Sequence, residues 1–177
     1  NPICFAMPAL SSHPIVLDMA TSTAARNKIR VAADKGESIP LGWGLDSEGQ
    51  PTIDPNIALK GLVAPMSEAK GFGLAVAVEI LTSVISGGLI GKEVSRKALE
   101  SKEIFYPVGA SHYFYVLNVN MFPDSLDFHS RVDQVSTQVH ETKLAKNTKA
   151  VYMPGELEFI TKEIRLRNGI PISEAVL

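Results

Sequence analysis

The sequence predicts an α/β fold, with an α+β mixed sheet, and three observations predict it. Apolar segments of strand length alternate with stretches of helical period. Gly and Pro punctuate the joints between them. A long apolar run stands mid-chain at 65–91, PMSEAKGFGLAVAVEILTSVISGGLIG. Apart from Glu79, no charged residue interrupts it between Lys70 and Lys92. Such a run is either a membrane span or a helix buried on nearly all sides. Glu79 at its middle and Thr82, Ser83 and Ser86 favour the buried helix, because polar groups inside lipid are costly. Lys70 then stands at the helix N-terminus, where backbone N–H groups and the dipole already favour an anion. A cation in that position is a first hint of a ligand site.

Elements follow in chain order. Residues 3–8 and 14–17 are apolar and read as strands joined by a tight turn at Ser11-Ser12. The second strand runs into Asp18-Met19-Ala20-Thr21-Ser22, where Thr21 or Ser22 can cap the next helix. That helix carries Ala25, Ile29 and Ala32 on one face, and Gly36 fits its C-terminal stop. Residues 39–55 are rich in Pro and Gly, hold Trp43, and read as irregular, with a surface turn at Ser47-Glu48-Gly49-Gln50. Residues 58–69 lead through Gly61 and Pro65 into the apolar helix, which Gly87-Gly88 ends. A short polar helix follows over 91–101. Tyr113, Tyr115, Leu117, Val119 and Met121 alternate as one face of a strand. Asp124 or Ser125 starts a helix with the stripe Phe128, Val132, Val135, Val139. Residues 150–153 are a brief strand. Pro154-Gly155-Glu156 opens the last complete helix, with Leu157, Ile160 and Ile164 inward and Gly169 and Pro171 at its end.

Composition narrows the class. A chain of 177 residues fits one domain with a core of its own. Net charge is −2 and the pI about 6.1, so there is no electrostatic footprint for nucleic acid. The short basic cluster Lys143, Lys146, Lys149 reads as a helix C-terminus. Cys4 is the sole cysteine, which rules out an intramolecular disulfide and points to a reducing, cytoplasmic compartment. No basic region followed by an apolar block marks a signal peptide. The chain opens on Asn1-Pro2 and stops at Glu174-Ala175-Val176-Leu177, which reads as part of a longer protein.

The obvious cofactor and catalytic motifs fail. Gly71-Phe72-Gly73-Leu74-Ala75-Val76 nearly matches a dinucleotide fingerprint, but Val76 replaces the third glycine and a loop, not a strand, precedes it. Near Gly87, Ser86 and Glu93 stand where a P-loop needs Gly and Ser/Thr. His13, His112, His129 and His140 lack metal-ligand spacing, and no Gly-x-Ser-x-Gly elbow exists. His112, just before a strand, is the histidine best placed to face a pocket; as a rule such a histidine is structural. Three loops share one property: 18–22, Lys70-Gly71 and 154–157 each lead into a helix start and supply free N–H groups. Together with the Lys70 ammonium they suit a phosphate-bearing cofactor.

Four motifs in order make the pattern specific: LDMATS, IPLGWGLDSEGQPTIDP, KGFGLAVAVEIL and MPGE. Over nearly the whole chain they resemble the malate/L-lactate dehydrogenase family of NAD(P)-dependent 2-hydroxyacid oxidoreductases. Its relatives include ureidoglycolate, sulfolactate and 2,3-diketogulonate enzymes and piperideine-carboxylate reductases. Asn1-Pro2 also looks like the end of the family's Gly-Thr-Asn-Pro turn. The resemblance implies a non-Rossmann nicotinamide-cofactor-binding fold, of which 1–177 is the cofactor-binding and C-terminal portion. It implies that Asp18, Met19, Ala20, Thr21 and Ser22 line NAD or NADP. Lys70 with Gly71 matches the cofactor lysine, and Gly155, Glu156 and Leu157 match the third contact. Whether Lys70 meets a phosphate or a ribose stays open.

By the same resemblance, the catalytic histidine and the arginine and serine that hold the substrate carboxylate lie upstream of this region. The matched positions therefore include no catalytic residue. Ser67-Glu68-Ala69 departs from the family's small, Gly-rich approach to the lysine, and around Val108 an arginine of some relatives is missing. The function implied is hydride transfer between NAD(P) and a small 2-hydroxy/2-oxo acid (or an imino acid) in a homodimer. Outside that class stand a non-catalytic nucleotide-binding or scaffolding fragment and an unrelated α/β hydrolase or lyase.

Overall fold

Strand β1 (Pro2–Met7) pairs with β2 (Ile15–Ala20) in a two-stranded sheet. The computed structural model describes residues 1–94, 109–122 and 127–172. Contacts divide the chain into two units, Asn1–Ile3 with Met19–Tyr115 and Cys4–Asp18 with Val116–Leu177. Strands β1 and β2 each run through both.

The first unit centres on α1 (Arg26–Lys35). Its Ile29 is fully sealed from solvent and meets Ile39 and Ala58, with Ala32, Trp43, Leu59 and Val63 packed around them. Gly36 stops the helix in the left-handed conformation, φ 67°, its N–H bonded back to the carbonyls of Ala32 and Ala33. The start is later than the hydroxyl residues predict. The N-cap is Ala25, without a side-chain cap, so neither Thr21 nor Ser22 caps α1. Long-range bonds hold the preceding segment instead. The Thr21 N–H donates to the Asn1 carbonyl at 3.1 Å, and the Met66 and Thr23 N–H groups reach the Thr21 and Ala64 carbonyls at 3.0 and 2.8 Å.

The stretch read as irregular holds two strands of a small three-stranded sheet. β3 (Gly44–Leu45) lies between β4 (Pro51–Thr52) and β5 (Leu62–Val63), antiparallel to both. The Asp46 carboxylate accepts from the Glu48 and Gln50 N–H groups and closes the turn between β3 and β4. Helix α2 (Pro55–Lys60) starts at Asp54, whose side chain accepts from Asn56 and Ile57, with Pro55 in the first turn. A side chain at Gly44 would collide with the Ala58 Cβ, so that glycine sets how closely β3 approaches α2. Strands of two residues leave no alternation to read, which is why pattern alone missed them.

The apolar run forms α3 (Ala69–Glu79), continues as a π turn, Ile80–Val84, and stops at Gly87, φ 70°. The expectation of burial on nearly all sides is overturned. Gly71, Val78 and Ser83 are buried, but Phe72 is 62% and Ile85 66% exposed. Intrinsic hydrophobicity marks a face that wants cover; it does not supply the neighbour. Glu79 has a structural task in this run. Its carboxylate accepts from the Asn1 amide at 3.0 Å and from the Gly91 N–H at 2.7 Å, tying the chain start to the end of the helix.

The second unit holds α4 (Phe128–His140) and α5 (Glu156–Asn168). Val132 and Ser136 are the buried residues of α4, while Val135 of the expected stripe faces solvent. Asp124 and Ser125, the expected helix start, lie outside the described residues, and α4 as described begins at Phe128. The lysines at 143, 146 and 149 come after its end. Helix α5 has the predicted start and stop, Gly155 at φ 88° and Gly169 at φ 82°. Its apolar Leu157, Ile160 and Ile164, expected inward, are exposed.

Two expected strands are absent. Residues 150–153 form no strand; the Val16 N–H donates to the Pro154 carbonyl at 3.0 Å at the start of the turn into α5. Residues 113–118 pair with no strand among the described residues, Phe114 is 87% and Val116 91% exposed, and Val119–Met121 is a 3-10 turn started by the Asn118 side chain. Alternation predicts extended backbone, but a strand also needs an edge to bond. Most of the short helix expected over 91–101, and Val108, lie outside the described residues. Among the described residues no helix is long and apolar enough to cross a membrane.

Candidate functional site

In the first unit the structure brings the 19–22 segment beside the approach to α3. Met19 and Ala20 end β2, and Thr21, only 4% exposed, follows them. Ser22 bridges to Pro65, Thr21 accepts from the Met66 N–H, and the Thr23 hydroxyl donates to the Pro65 carbonyl at 3.2 Å. Two residues later the chain turns into α3 through Ser67 and Glu68, at φ 47° and 52°. Lys70 sits in the first turn and is exposed, and no ion pair among the described residues engages it. Gly71 is buried below it. A Cβ there would overlap the Met66 carbonyl, so glycine is what lets the helix start close on the 64–66 segment. A cation in a first helical turn opposes the dipole and gains nothing from it. An exposed ammonium at that helix start, unpaired among the described residues, is chemically suited to an anionic group.

In the second unit Asp18 is exposed near the end of β2, and Gly155 packs against the same strand. A side chain on Gly155 would come 3.0 Å from the Val16 carbonyl, at a φ that already disfavours one. Leu157 is half exposed on the first turn of α5. Glu156 is fixed by two donors to one oxygen: His140 Nε2 at 2.9 Å and the Met153 N–H at 2.8 Å, both to Oε2. The His140 bond, then the Met153 bond, hold the Glu156 carboxyl below its ordinary value.

Sequence reasoning missed the polar residues around Glu156. Ser11, Ser12, His13, His140, Met153 and Glu156 line a cleft of about 220 Å³. His13 stacks on Phe159 with ring centroids 4.6 Å apart and planes within 7°. Asp133, from α4, accepts from both Ser11 and Ser12, hydroxyls at 2.6 Å and N–H groups at 2.9 and 3.2 Å. The Ser11 and Ser12 hydroxyls push its carboxyl far below the usual range. The Ser-Ser-His run was the available signal; the partners lie more than a hundred positions away. His112, singled out from the sequence, is exposed and stacks on its neighbour Phe114 at 6.1 Å. Among the described residues no group of three His, Cys, Asp or Glu gathers to hold a metal.

Comparison with known proteins places this architecture. The family model described as malate/L-lactate dehydrogenase matches residues 1–177. A malate dehydrogenase of Pyrococcus abyssi is 31% identical over all of this chain and 49% of its own length. A Δ1-pyrroline-2-carboxylate reductase of Ancylobacter novellus is 34% identical over 99% of this chain and 50% of its own. The solved sulfolactate dehydrogenase of Methanocaldococcus jannaschii superposes with a TM-score of 0.76 at 30% identity, over 99% of this chain and 48% of that one. The chain belongs to the malate/L-lactate dehydrogenase family. It spans about half the length of the curated relatives it matches.

Proposed function

We propose that this chain is the cofactor-binding and C-terminal portion of a longer NAD(P)-dependent 2-hydroxyacid dehydrogenase, with a non-Rossmann cofactor fold. Its substrate is a small 2-hydroxy/2-oxo acid or the corresponding imino acid. Malate and sulfolactate are 2-hydroxy acids and pyrroline-2-carboxylate is a cyclic 2-imino acid, so the relatives share a carboxylate beside a carbon that gains or loses hydride. The nicotinamide, when bound, supplies that hydride.

The residues present fit such a cofactor. Lys70 offers an exposed cation for a phosphate or ribose, on a helix start that the buried Gly71 lets pack against Met66. Asp18, Met19, Ala20, Thr21 and Ser22 contribute backbone and hydroxyl contacts, and Gly155, Glu156 and Leu157 a fixed acceptor and an apolar wall. Their work is to orient the cofactor and exclude water, while proton transfer to the substrate oxygen falls to a histidine upstream of this region. We place the protein in the cytoplasm as a homodimer.

The observation that carries this reading is Lys70, free of ion pairs among the described residues, at the start of a helix in a family of dehydrogenases. Losing a charge-assisted hydrogen bond of about 1.5–3 kcal/mol weakens binding roughly tenfold or more. Titration of NADH and NADPH into full-length Lys70→Ala is therefore expected to show that loss for whichever cofactor the wild type binds. Unchanged affinity for both sinks the assignment. A turnover screen of 2-oxo acids with both reduced cofactors identifies the substrate. Tight cofactor binding without turnover across that screen returns the chain to a non-catalytic nucleotide-binding role.

A further inference from the structure

Glu156 and His140 belong to different helices of the second unit, sixteen residues apart, and no motif links them. Their contact is direct, with His140 Nε2 2.9 Å from Glu156 Oε2. An ionised carboxylate only accepts, so the shared proton resides on the imidazole Nε2. The Met153 N–H donates to the same oxygen from the turn before α5. Two donors from different directions thus occupy Oε2, and among the described residues no donor reaches Oε1. The glutamate is partly exposed and lines the cleft that also holds Ser11, Ser12 and His13.

We propose that His140 is a positioning residue: with the Met153 N–H it clamps one oxygen of Glu156, so that the other is presented to a ligand hydroxyl, as in a ribose diol. The inference rests on the reading that Glu156 contacts the cofactor, and deepens it by naming the group recognised and the residue that prepares the acceptor. Left alone, a glutamate side chain samples many rotamers, and ordering it at the moment of binding costs affinity. The Met153 bond alone is local to the helix start and leaves rotation about the carboxylate. A second bond from another helix removes it. The depressed carboxyl of Glu156 fits this arrangement, since it keeps the group ionised and purely accepting.

The alternative is that His140 only pins α4 to α5. Two truncations, His140→Leu and His140→Ala, and one replacement that retains an N–H donor, His140→Gln, separate the two in the full-length protein. The truncations are expected to raise the dissociation constant for NADH or NADPH about tenfold, as loss of one hydrogen bond to a charged group does. The loss appears in the cofactor KM and not in kcat. His140→Gln is expected to restore affinity to within about twofold, because its amide N–H can serve the same oxygen. In a Glu156→Ala background the truncations cause no further loss. A lowered Tm with unchanged cofactor affinity, no rescue by Gln, or a full extra loss without Glu156 overturns the proposal. Glu156→Ala without effect overturns the Glu156 contact and the proposal together. Glu156→Ala weakening the complex while the His140 truncations are silent overturns the proposal alone.

Discussion

Ser67 and Glu68 turn the chain into α3 with φ of 47° and 52°, and Glu68 has ψ −116°, a region that L side chains rarely enter. Glycine reaches such angles without the Cβ clash that a serine or glutamate brings. Strained non-glycine residues cost of order 1–3 kcal/mol each. Glu68→Gly gives back part of that through lost chain entropy, and a net stabilisation of about 1 kcal/mol is expected. Urea unfolding measures it, and a loss of stability would show that the Glu68 side chain holds the turn in some other way. Glu79 is the opposite case: a charge that looks out of place in an apolar run, yet binds Asn1 and Gly91.

Helix α3 is a strong local signal with a weak surrounding. Its start, its stop at Gly87 and the place of Lys70 were legible because helical preferences act within one or two turns. Its depth of burial was not, because burial depends on neighbours. What anchors it is Gly71. A methyl group there meets the Met66 carbonyl, and neither backbone can yield without disturbing the bond from Met66 to Thr21. Gly71→Ala is therefore expected to cost about 1–3 kcal/mol through overpacking, despite alanine's better helix propensity. Thermal denaturation checks this, and a rise in Tm would mean that the helix start moves freely. The same reasoning separates Gly71 from Gly73, around which a side chain would meet nothing. Of the two glycines in the failed dinucleotide fingerprint, one is a packing requirement and the other is not.

For the molecule, pH response follows from Asp133. The Ser11 and Ser12 bonds lower its folded-state carboxyl below the ordinary 3.8. A depressed carboxylate contributes stability that is fully present above the unfolded value and lost as pH falls through the folded one. Acid unfolding below about pH 4 is expected to be shallower in Asp133→Asn than in wild type, alongside lower stability at neutral pH. Parallel acid limbs in the two proteins would show that Asp133 does not govern this region. That link also marks the limit of reading from sequence. The sequence by itself determined the family motifs, the Lys70 helix start, the Gly36, Gly87 and Gly169 stops and the Glu156 helix, because each is encoded within a few residues. Only the tertiary structure decided that Asp133 gathers Ser11 and Ser12, that His140 meets Glu156, that residues 113–118 find no strand partner among the described residues, and that α3 leaves an apolar face exposed. Those outcomes depend on which distant segments close against one another. Loop closure carries an entropic cost that no local pattern records, and only the completed set of contacts reveals whether it was met.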